Sequence, residues 1–212
     1  MFKTLLCNIA FLALAFAANA QSLSPVEVKA LLARIRDHRA SAPNLAADFR
    51  QQRKVHLLDE PLLSTGKVWF QAPNKFRLEV KGNSPSVTVN DGQQLWIYYP
   101  KFNSAERYSL TRHSPLDAAI AALTAGLSMQ NLDATYRVTA RKEGSGYVMQ
   151  LEPRSPSIKR LFQSLEITLN DSLQATHTDI LQPNGDRMVT DYTSHSAAAI
   201  PASQFQFTPP AG

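Results

Sequence analysis

The stretch that decides the fold is QLWIYYP, residues 94–100. In a β-strand, alternation places Leu95, Ile97 and Tyr99 on one face and Trp96 and Tyr98 on the other. Both faces are then apolar, whereas a strand of an antiparallel sheet commonly keeps one face polar for water. Two interpretations stay open. The strand lies in a core that is packed on both sides, or one face meets the far wall of a curled sheet or a bound hydrophobe.

Short strands separated by turn residues surround this stretch on both sides. Asp91-Gly92 and Asn184-Gly185 are strong hairpin turns. The alternating pattern predicts strands in two groups, at 46–55, 66–71, 75–81, 86–89, 94–100 and 106–110, and at 134–142, 147–152, 161–169, 177–181, 187–193 and 204–207.

Two helices interrupt the strands. Ser24-Pro25-Val26-Glu27 is a capping box with proline at the first helical position, and it predicts a helix over 25–39. A second cap, Ser114-Pro115-Leu116-Asp117, opens a helix that continues to about residue 127. The order is helix, about five strands, helix and about five strands. We therefore expect an α+β fold with one large antiparallel sheet, which curls because strands twist.

The first 20 residues have the features of a secretory signal peptide. Lys3 supplies a positive start, residues 4–16 are apolar, and Ala18-Asn19-Ala20 fits the small-residue cleavage rule. The apolar run is shorter than the ~20 residues that span a bilayer. Cys7 lies early in this run and reads as an apolar signal-peptide residue. We expect residues 1–20 to be removed and residues 21–212 to form a single domain.

The composition of the mature chain excludes several classes of protein. Cys7 is the only cysteine, so the mature chain can form no disulfide and no thiolate metal site. Without Lys3 it has 21 basic and 17 acidic residues, and 21 − 17 gives a charge of +4. The densest basic patch, residues 50–54, reads as a solvated strand face, so we expect no nucleic-acid partner.

No constellation of residues points to catalysis. The five histidines are scattered, and neither a zinc-binding HExxH nor a nucleophile or nucleotide motif occurs. Asp179 and Asp191 would come near each other if strands 177–181 and 187–193 pair, which keeps a hydrolase as a disfavoured alternative. The distinguishing property is apolar surface, and apolar pockets with few polar groups bind hydrophobic ligands. We expect no enzyme activity and no cofactor or metal.

Several short motifs occur in the order found in one known family. They are Phe49-Arg50-Gln51, Gly66-Lys67-Val68-Trp69, Pro73-Asn74-Lys75-Phe76, Asp91-Gly92, Leu95-Trp96-Ile97-Tyr98-Tyr99-Pro100, and the ending Phe205-Gln206-Phe207-Thr208-Pro209-Pro210-Ala211-Gly212. From about Leu45 to Gly212 the chain resembles the LolA family of periplasmic carriers of outer-membrane lipoproteins.

The resemblance implies a fold and a function. The fold is an unclosed β-barrel of about 11 strands with a lid of helices, here the first helix and residues 115–127. The hollow receives lipoprotein acyl chains in the periplasm, on their way from the inner to the outer membrane. The implied partners are an inner-membrane ABC transporter of the Lol type and an acceptor lipoprotein at the outer membrane. The carrier itself is expected to be a monomer.

The resemblance and the alternating pattern together suggest which residues line the hollow. The candidate lipid-binding residues are Phe49, Trp69, Phe76, Leu78, Val80, Leu95, Ile97, Tyr99, Leu116, Ile120 and Leu123. Phe76, Leu78 and Val80 share a face by alternation, and Leu116, Ile120 and Leu123 have helical spacing. Ordinary core packing is the alternative for each of them.

Two departures from the family keep other cargoes open. Ala72 stands where the family has an arginine that ties the closed lid, and Arg77 lies nearby on the neighbouring strand. The chain also stops at Gly212, where better-known members add a C-terminal loop and strand. The alternatives are a carrier of another lipid, such as a glycolipid or a pigment ester, and a lipid-sensing module.

Overall fold

The computed structural model describes residues 21–110, 129 and 132–210. Its strands are β1 Gln21–Ser22, β2 Asn44–Lys54, β3 Leu62–Gln71, β4 Lys75–Gly82, β5 Ser86–Asn90, β6 Gln94–Tyr99, β7 Ser104–Ser109, β8 Tyr136–Glu143, β9 Gly146–Pro153, β10 Ser164–Leu169, β11 Ala175–Leu181 and β12 Arg187–Ser196. The helices are α1 Pro25–Ser41, α2 Leu132–Thr135 and α3 Pro156–Lys159, with 3₁₀ turns at Pro100–Phe102 and Ala202–Phe205.

All twelve strands belong to one antiparallel sheet in the order β1-β8-β9-β10-β11-β12-β2-β3-β4-β5-β6-β7. β1 and β7 are its two edges, so the sheet curls without closing into a barrel. β12 pairs with β2 and joins the two halves, with Arg187 opposite Lys54 and Tyr192 opposite Phe49. The predicted fold class is confirmed, with twelve strands instead of about 11. The additional two-residue strand β1 is too short to show alternation in the sequence.

The predicted capping box starts α1. The Ser24 hydroxyl accepts a hydrogen bond from the Glu27 backbone N–H, and Glu27 Oε2 accepts one from the Ser24 N–H at 2.7 Å. α1 ends at Ser41, two residues beyond the predicted end. Among the described residues, no helix is long and apolar enough to cross a membrane.

α1 defines the inner face of the sheet, and the opposite face is called the outer face. The buried side chains Val28, Leu31 and Ile35 pack with inner-face residues of β8–β10 such as Met149 and Ile167. α2 and the turn after α3 complete this first cluster through Leu132 and Phe162. α1 therefore covers the β8–β10 half of the inner face.

A second apolar cluster lies on the inner face of the other half of the sheet. It consists of Leu45, Phe70, Phe76 and Leu95, with Ala72, Ile97 and Leu110 packed against it. Polar residues of β11, β12 and β2 lie between the clusters, because strand pairing places Thr178, Thr190 and Gln51 on the same face. The Gln51 side-chain amide donates to the Thr190 hydroxyl at 3.2 Å. This polar row lies between the two clusters, beside apolar inner-face residues of the same strands such as Phe49 and Tyr192.

Three predicted elements differ from the structure or cannot be compared with it. The predicted strand at 204–207 is wrong: Ala202–Phe205 forms a 3₁₀ turn that follows Pro201 and packs against the sheet. The strand predicted at 161–169 begins only at Ser164, because Ser155 caps the short helix α3 before it. The predicted helix at 115–127 lies outside the described residues.

Candidate functional site

The outer face of β6 is covered by the C-terminal segment of the chain. The Phe207 ring lies 5.7 Å from the Trp96 ring and 5.6 Å from the Tyr98 ring, measured between centroids. Phe205, two residues earlier, is buried. The outward apolar residues of QLWIYYP therefore have a partner within the chain, and only the inward set remains for a ligand.

The inner face of β2–β6 carries seven of the eleven predicted lipid-binding residues. Register fixes this arrangement, since Phe49 lies opposite Gly66, Val68 opposite Leu78, and Phe70 opposite Phe76. The seven residues are Phe49, Phe76, Leu78, Val80, Leu95, Ile97 and Tyr99. The structure thus brings these predicted residues together on one surface.

Burial divides these seven residues into two groups. Phe49, Phe76 and Leu95 are at most 5% exposed and form the floor of the site. Leu78, Val80, Ile97 and Tyr99 are only half-buried. Leu78 lies opposite Thr88, and Thr88 lies opposite Ile97, so these three side chains make a continuous row across β4, β5 and β6. The half-buried group, called the inner strip, is the apolar surface of the inner face that stays partly accessible on β4 and β6.

Gly66 explains how Phe49 reaches its place in the floor. A methyl group on Gly66 would lie 2.4 Å from Phe49 Cζ and 2.0 Å from the carbonyl oxygen of Glu79. The Phe49 ring therefore lies directly over the glycine, in space that any other residue would occupy. Glycine at this point of β3 lets the aromatic ring cross onto the neighbouring strand.

Trp69 does not share the inner face with the other predicted residues. It lies opposite Ala46 and Arg77 on the outer face, with the Lys67 ammonium 5.5 Å from its ring centroid. The groove around it is lined by three cations and three carboxylates as well as Trp69: Asp48, Arg50, Lys67, Glu79, Lys81 and Asp191. Such a mixed charged surface suits water better than an acyl chain. The remaining candidates, Leu116, Ile120 and Leu123, lie outside the described residues.

Two buried polar groups lie among the apolar residues of the inner face. Asn90, opposite Phe76 and Leu95, is 1% exposed, and its Oδ1 accepts the Gly92 N–H at 2.7 Å. Its Nδ2 has no hydrogen-bond partner in the part of the chain that is described. Tyr136 is fully buried, and burial raises its pKa to about 12. Asn90 was not predicted as a buried residue, because an asparagine before Asp91-Gly92 is typical of the turn itself.

Neither Ala72 nor Arg77 supplies the charge of the family arginine to the inner face near the β3–β4 turn. Ala72 packs against the second apolar cluster, and its N–H donates to the Pro43 carbonyl at 2.9 Å. Arg77 is on the outer face, where its Nε binds Glu79 at 2.7 Å, so it is directed away from the inner face.

Arg39, near the end of α1, is a basic residue inside the protein. It is buried, and burial lowers the pKa of its guanidinium.

The two carboxylates that kept a hydrolase open are both engaged by basic side chains. Asp179 accepts hydrogen bonds from Arg187, with Nε 2.8 Å from Oδ1. Asp191 lies 2.6 Å from Nδ1 of His177. Within the described ranges, no three His, Cys, Asp or Glu side chains form a group that could hold a metal ion.

Comparison with known proteins shows the class to which the fold belongs. The family model described as outer membrane lipoprotein carrier protein LolA matches residues 40–208. This chain therefore belongs to the LolA family.

Individual relatives agree with that assignment. An outer-membrane lipoprotein carrier protein of Chromohalobacter salexigens is 30% identical over 216 residues, covering 100% of this chain and 95% of that protein. One from Methylibium petroleiphilum is 31% identical over 151 residues, 70% of each chain. The structure of an uncharacterized conserved protein from Thermus thermophilus has a TM-score of 0.53 at 14% identity. It covers 87% of this chain and 95% of that one, and it shows the fold alone.

Proposed function

We propose that this chain is a periplasmic carrier that shields lipoprotein acyl chains on its inner face between the inner and the outer membrane. The observation that carries the proposal is the inner strip, an apolar surface that the protein's own core leaves half-covered in a member of this family. Phe49, Phe76 and Leu95 form the floor beneath it. No bond is made or broken, so the protein needs neither a catalytic group nor a cofactor.

The energetics of this surface suit a carrier. Burying hydrocarbon gains ~0.8 kcal/mol per methylene, so about five methylenes of each acyl chain already contribute ~4 kcal/mol. Two or three chains together supply ample affinity without any polar contact. The side chains of the inner strip are not enclosed by the described core, so the cargo can leave by the route it entered.

Membership of the family supports our proposal for the rest of the route. Residues 1–20 direct export and are removed, and residues 21–212 act as one unit in the periplasm, as a monomer. Cargo comes from an inner-membrane ABC transporter of the Lol type and passes to an acceptor lipoprotein at the outer membrane. We propose Leu116, Ile120 and Leu123 as further contacts of the acyl chains. Trp69 is left out of the binding surface because of its place on the outer face.

The first experiment changes the inner strip without removing the core. Leu78→Gln and Ile97→Gln place an amide on the half-buried surface, and we expect at least a fivefold loss of binding of a fluorescent fatty-acid probe. Release of a lipoprotein from inner-membrane vesicles should fall in parallel. Phe76 is unsuitable as a target, because a substitution at a fully buried residue would test folding.

The matched control is Val87→Gln. Val87 is half-buried on the adjoining strand β5, but it lies on the outer face opposite Glu79 and Tyr98. Urea unfolding of all three variants separates binding from stability. Full probe binding and full lipoprotein release by a folded Ile97→Gln and a folded Leu78→Gln would contradict the proposal.

A second cargo class is favoured by Ala72. Ala72 carries no charge and packs in an apolar cluster, so it cannot make the hydrogen bonds by which the family arginine ties the lid. The alternative is a carrier of a glycolipid or a pigment ester on the same inner strip. Native mass spectrometry of the lipid that co-purifies with the protein separates the two cargoes.

A further inference from the structure

The exposed apolar side chains of the chain are concentrated at one end of the strands. Eight large apolar side chains are substantially exposed in the described part of the chain, and six of them lie at this end. The six are Leu57, Leu58, Leu62, Leu63, Phe102 and Leu161. They lie in the connections β2–β3, β6–β7 and β9–β10 and in the first two residues of β3, which antiparallel pairing places at the same rim as the β4–β5 and β11–β12 turns. We call this end the leucine rim.

The opposite rim provides an internal comparison. It is formed by the β3–β4, β5–β6, β8–β9 and β10–β11 turns, and none of the eight exposed side chains lies in them. The two that remain are Val26, in the first turn of α1, and Tyr108, within β7. The asymmetry between the rims is therefore a property of this sheet and not a general surplus of surface hydrophobes. Single exposed apolar residues are ordinary, whereas a grouped set marks an interaction surface.

The β2–β3 connection is held in place at its base. Asp186, in the β11–β12 turn, is 5% exposed and accepts the His56 backbone N–H at 2.9 Å. Arg53 lies 3.8 Å from the other carboxylate oxygen of Asp186. The Leu58 N–H donates to the Val55 carbonyl at 3.0 Å. Leu57 is nevertheless 88% exposed and Leu63 63% exposed, so the connection presents leucines from a fixed base.

The charges at the leucine rim are mostly positive. Four carboxylates are exposed there, those of Asp59, Glu60, Asp133 and Glu152, against six exposed cations, Lys54, Lys81, Lys101, Arg154, Lys159 and Arg160. Arg53 and Arg187 are paired with Asp186 and Asp179 and do not add to the excess. Leucine and phenylalanine at the tips with lysine and arginine behind them match the layers of a bilayer surface, where apolar tips enter the acyl region and cations meet the phosphates.

From this arrangement we infer that the leucine rim docks on the surface of a phospholipid bilayer that contains anionic lipid. The contact is shallow and reversible, because a few side chains enter and Asp59 and Glu60 oppose the anionic headgroups. Leu62 continues the inner-face row of β3 that runs through Gly66 and Val68, so the docked rim brings one end of the inner face to the membrane. The inference goes beyond the proposed function, and it stands on the rim whether or not the cargo is a lipoprotein.

Vesicle flotation tests the inference directly. The purified mature protein, free of cargo, is mixed with vesicles of phosphatidylcholine and phosphatidylglycerol in a ratio of three to one, and the bound fraction is measured. We expect the protein to float with these vesicles. Leu57→Asn/Leu63→Asn should lower the bound fraction at least fivefold, because both side chains are highly exposed and their loss leaves the core intact.

The matched control is Tyr108→Asn, because Tyr108 is 38% exposed and lies opposite Leu95 at the other end of the strands, so this variant should float like the wild type. Lys54→Gln/Lys101→Gln should reduce binding to anionic vesicles and leave binding to pure phosphatidylcholine unchanged. A wild type that does not float, or a leucine variant that floats as well as Tyr108→Asn, would overturn the inference. So would binding only to vesicles that carry membrane proteins.

Probe binding in solution separates this inference from the carrier proposal. Without vesicles, Leu57→Asn/Leu63→Asn should bind the fatty-acid probe like the wild type, since these residues lie outside the inner strip. Failure of the wild type to bind any acyl probe would contradict the carrier and leave the flotation result standing.

Discussion

Gly66 shows how a single residue determines the floor of the site. A side chain there would meet both the Phe49 ring and the backbone of Glu79, as the 2.4 Å and 2.0 Å distances show. Only one of these neighbours, the ring, can turn aside. The alternating pattern starts the predicted strand at Gly66, so it does not indicate the close approach that a glycine inside a strand marks. It does not identify the partner, which depends on the register between β2 and β3.

We expect Gly66→Ala to destabilise the protein by about 1–3 kcal/mol, the usual cost of overpacking. The measurement is urea unfolding followed by circular dichroism. Ser64→Ala is the control, because Ser64 lies two residues away on the same face of β3 and already carries a Cβ. An unchanged unfolding midpoint for Gly66→Ala would contradict this prediction, because β2, β3 and β4 would then accommodate a Cβ at position 66 with no loss of stability.

Asp186 gives the stability a dependence on pH. Its pKa is lowered, first by the hydrogen bond from the His56 backbone N–H and further by Asn184 and by the charge of Arg53. A depressed carboxyl pKa contributes stability above the unfolded-state value of about 3.9. That contribution disappears as the pH falls through the folded-state value.

Asp186→Asn should therefore lower the melting temperature at pH 7 and have progressively less effect below pH 4. Thermal unfolding of both proteins across this range measures the difference. Asp171→Asn, at an exposed position in the β10–β11 turn, is the control and should match the wild type throughout. A constant difference from pH 7 to pH 2 would mean that the carboxylate charge is not the cause.

At the scale of elements, the C-terminal segment is where prediction from the sequence failed. Residues 204–207 alternate like a strand, but Pro201 and Pro209 bracket them, and Phe205 and Phe207 pack on the sheet without pairing with it. Alternation shows that a segment has an apolar side, but it does not show whether the segment pairs as a strand or packs against the face of a sheet. By contrast, α1 and the hairpins at Asp91-Gly92 and Asn184-Gly185 depend on neighbouring residues, and they were predicted correctly.

Removing an aromatic ring from this segment should weaken its packing on the sheet, and the loss of stability should be larger for the more buried ring. Phe205 is 2% exposed, and we expect Phe205→Ala to cost about 3–5 kcal/mol. Phe207 is half-buried with two aromatic contacts, so Phe207→Ala should cost about 1–3 kcal/mol. Urea unfolding measures both changes. Phe102→Ala is the control, since Phe102 is 76% exposed and should have little effect on stability. Equal costs for Phe205→Ala and Phe102→Ala would contradict the packing described.

At the scale of the whole molecule, the sequence predicted one face of the site and missed the ends of the sheet. Alternation placed Leu78, Val80 and Ile97 correctly on one surface, because a strand has only two faces. It could not place Trp69, which a family motif suggested but register assigns to the other face. The doublets Leu57-Leu58 and Leu62-Leu63 were visible in the sequence, but only the topology shows that Phe102 and Leu161 lie at the same rim.

The pairing of β12 with β2 has a consequence for the order in which the chain can be completed. β2 ends at Lys54, and the strand that covers its second edge begins only at Arg187, so more than half the polypeptide must be synthesised in between. Until then, the early strands can form hairpins but not a continuous wall. Contacts between such distant segments form slowly. In a newly made chain, the edge of β2 that pairs with β12 therefore keeps its backbone N–H and C=O groups without strand partners until the segment from Arg187 onward has been synthesised.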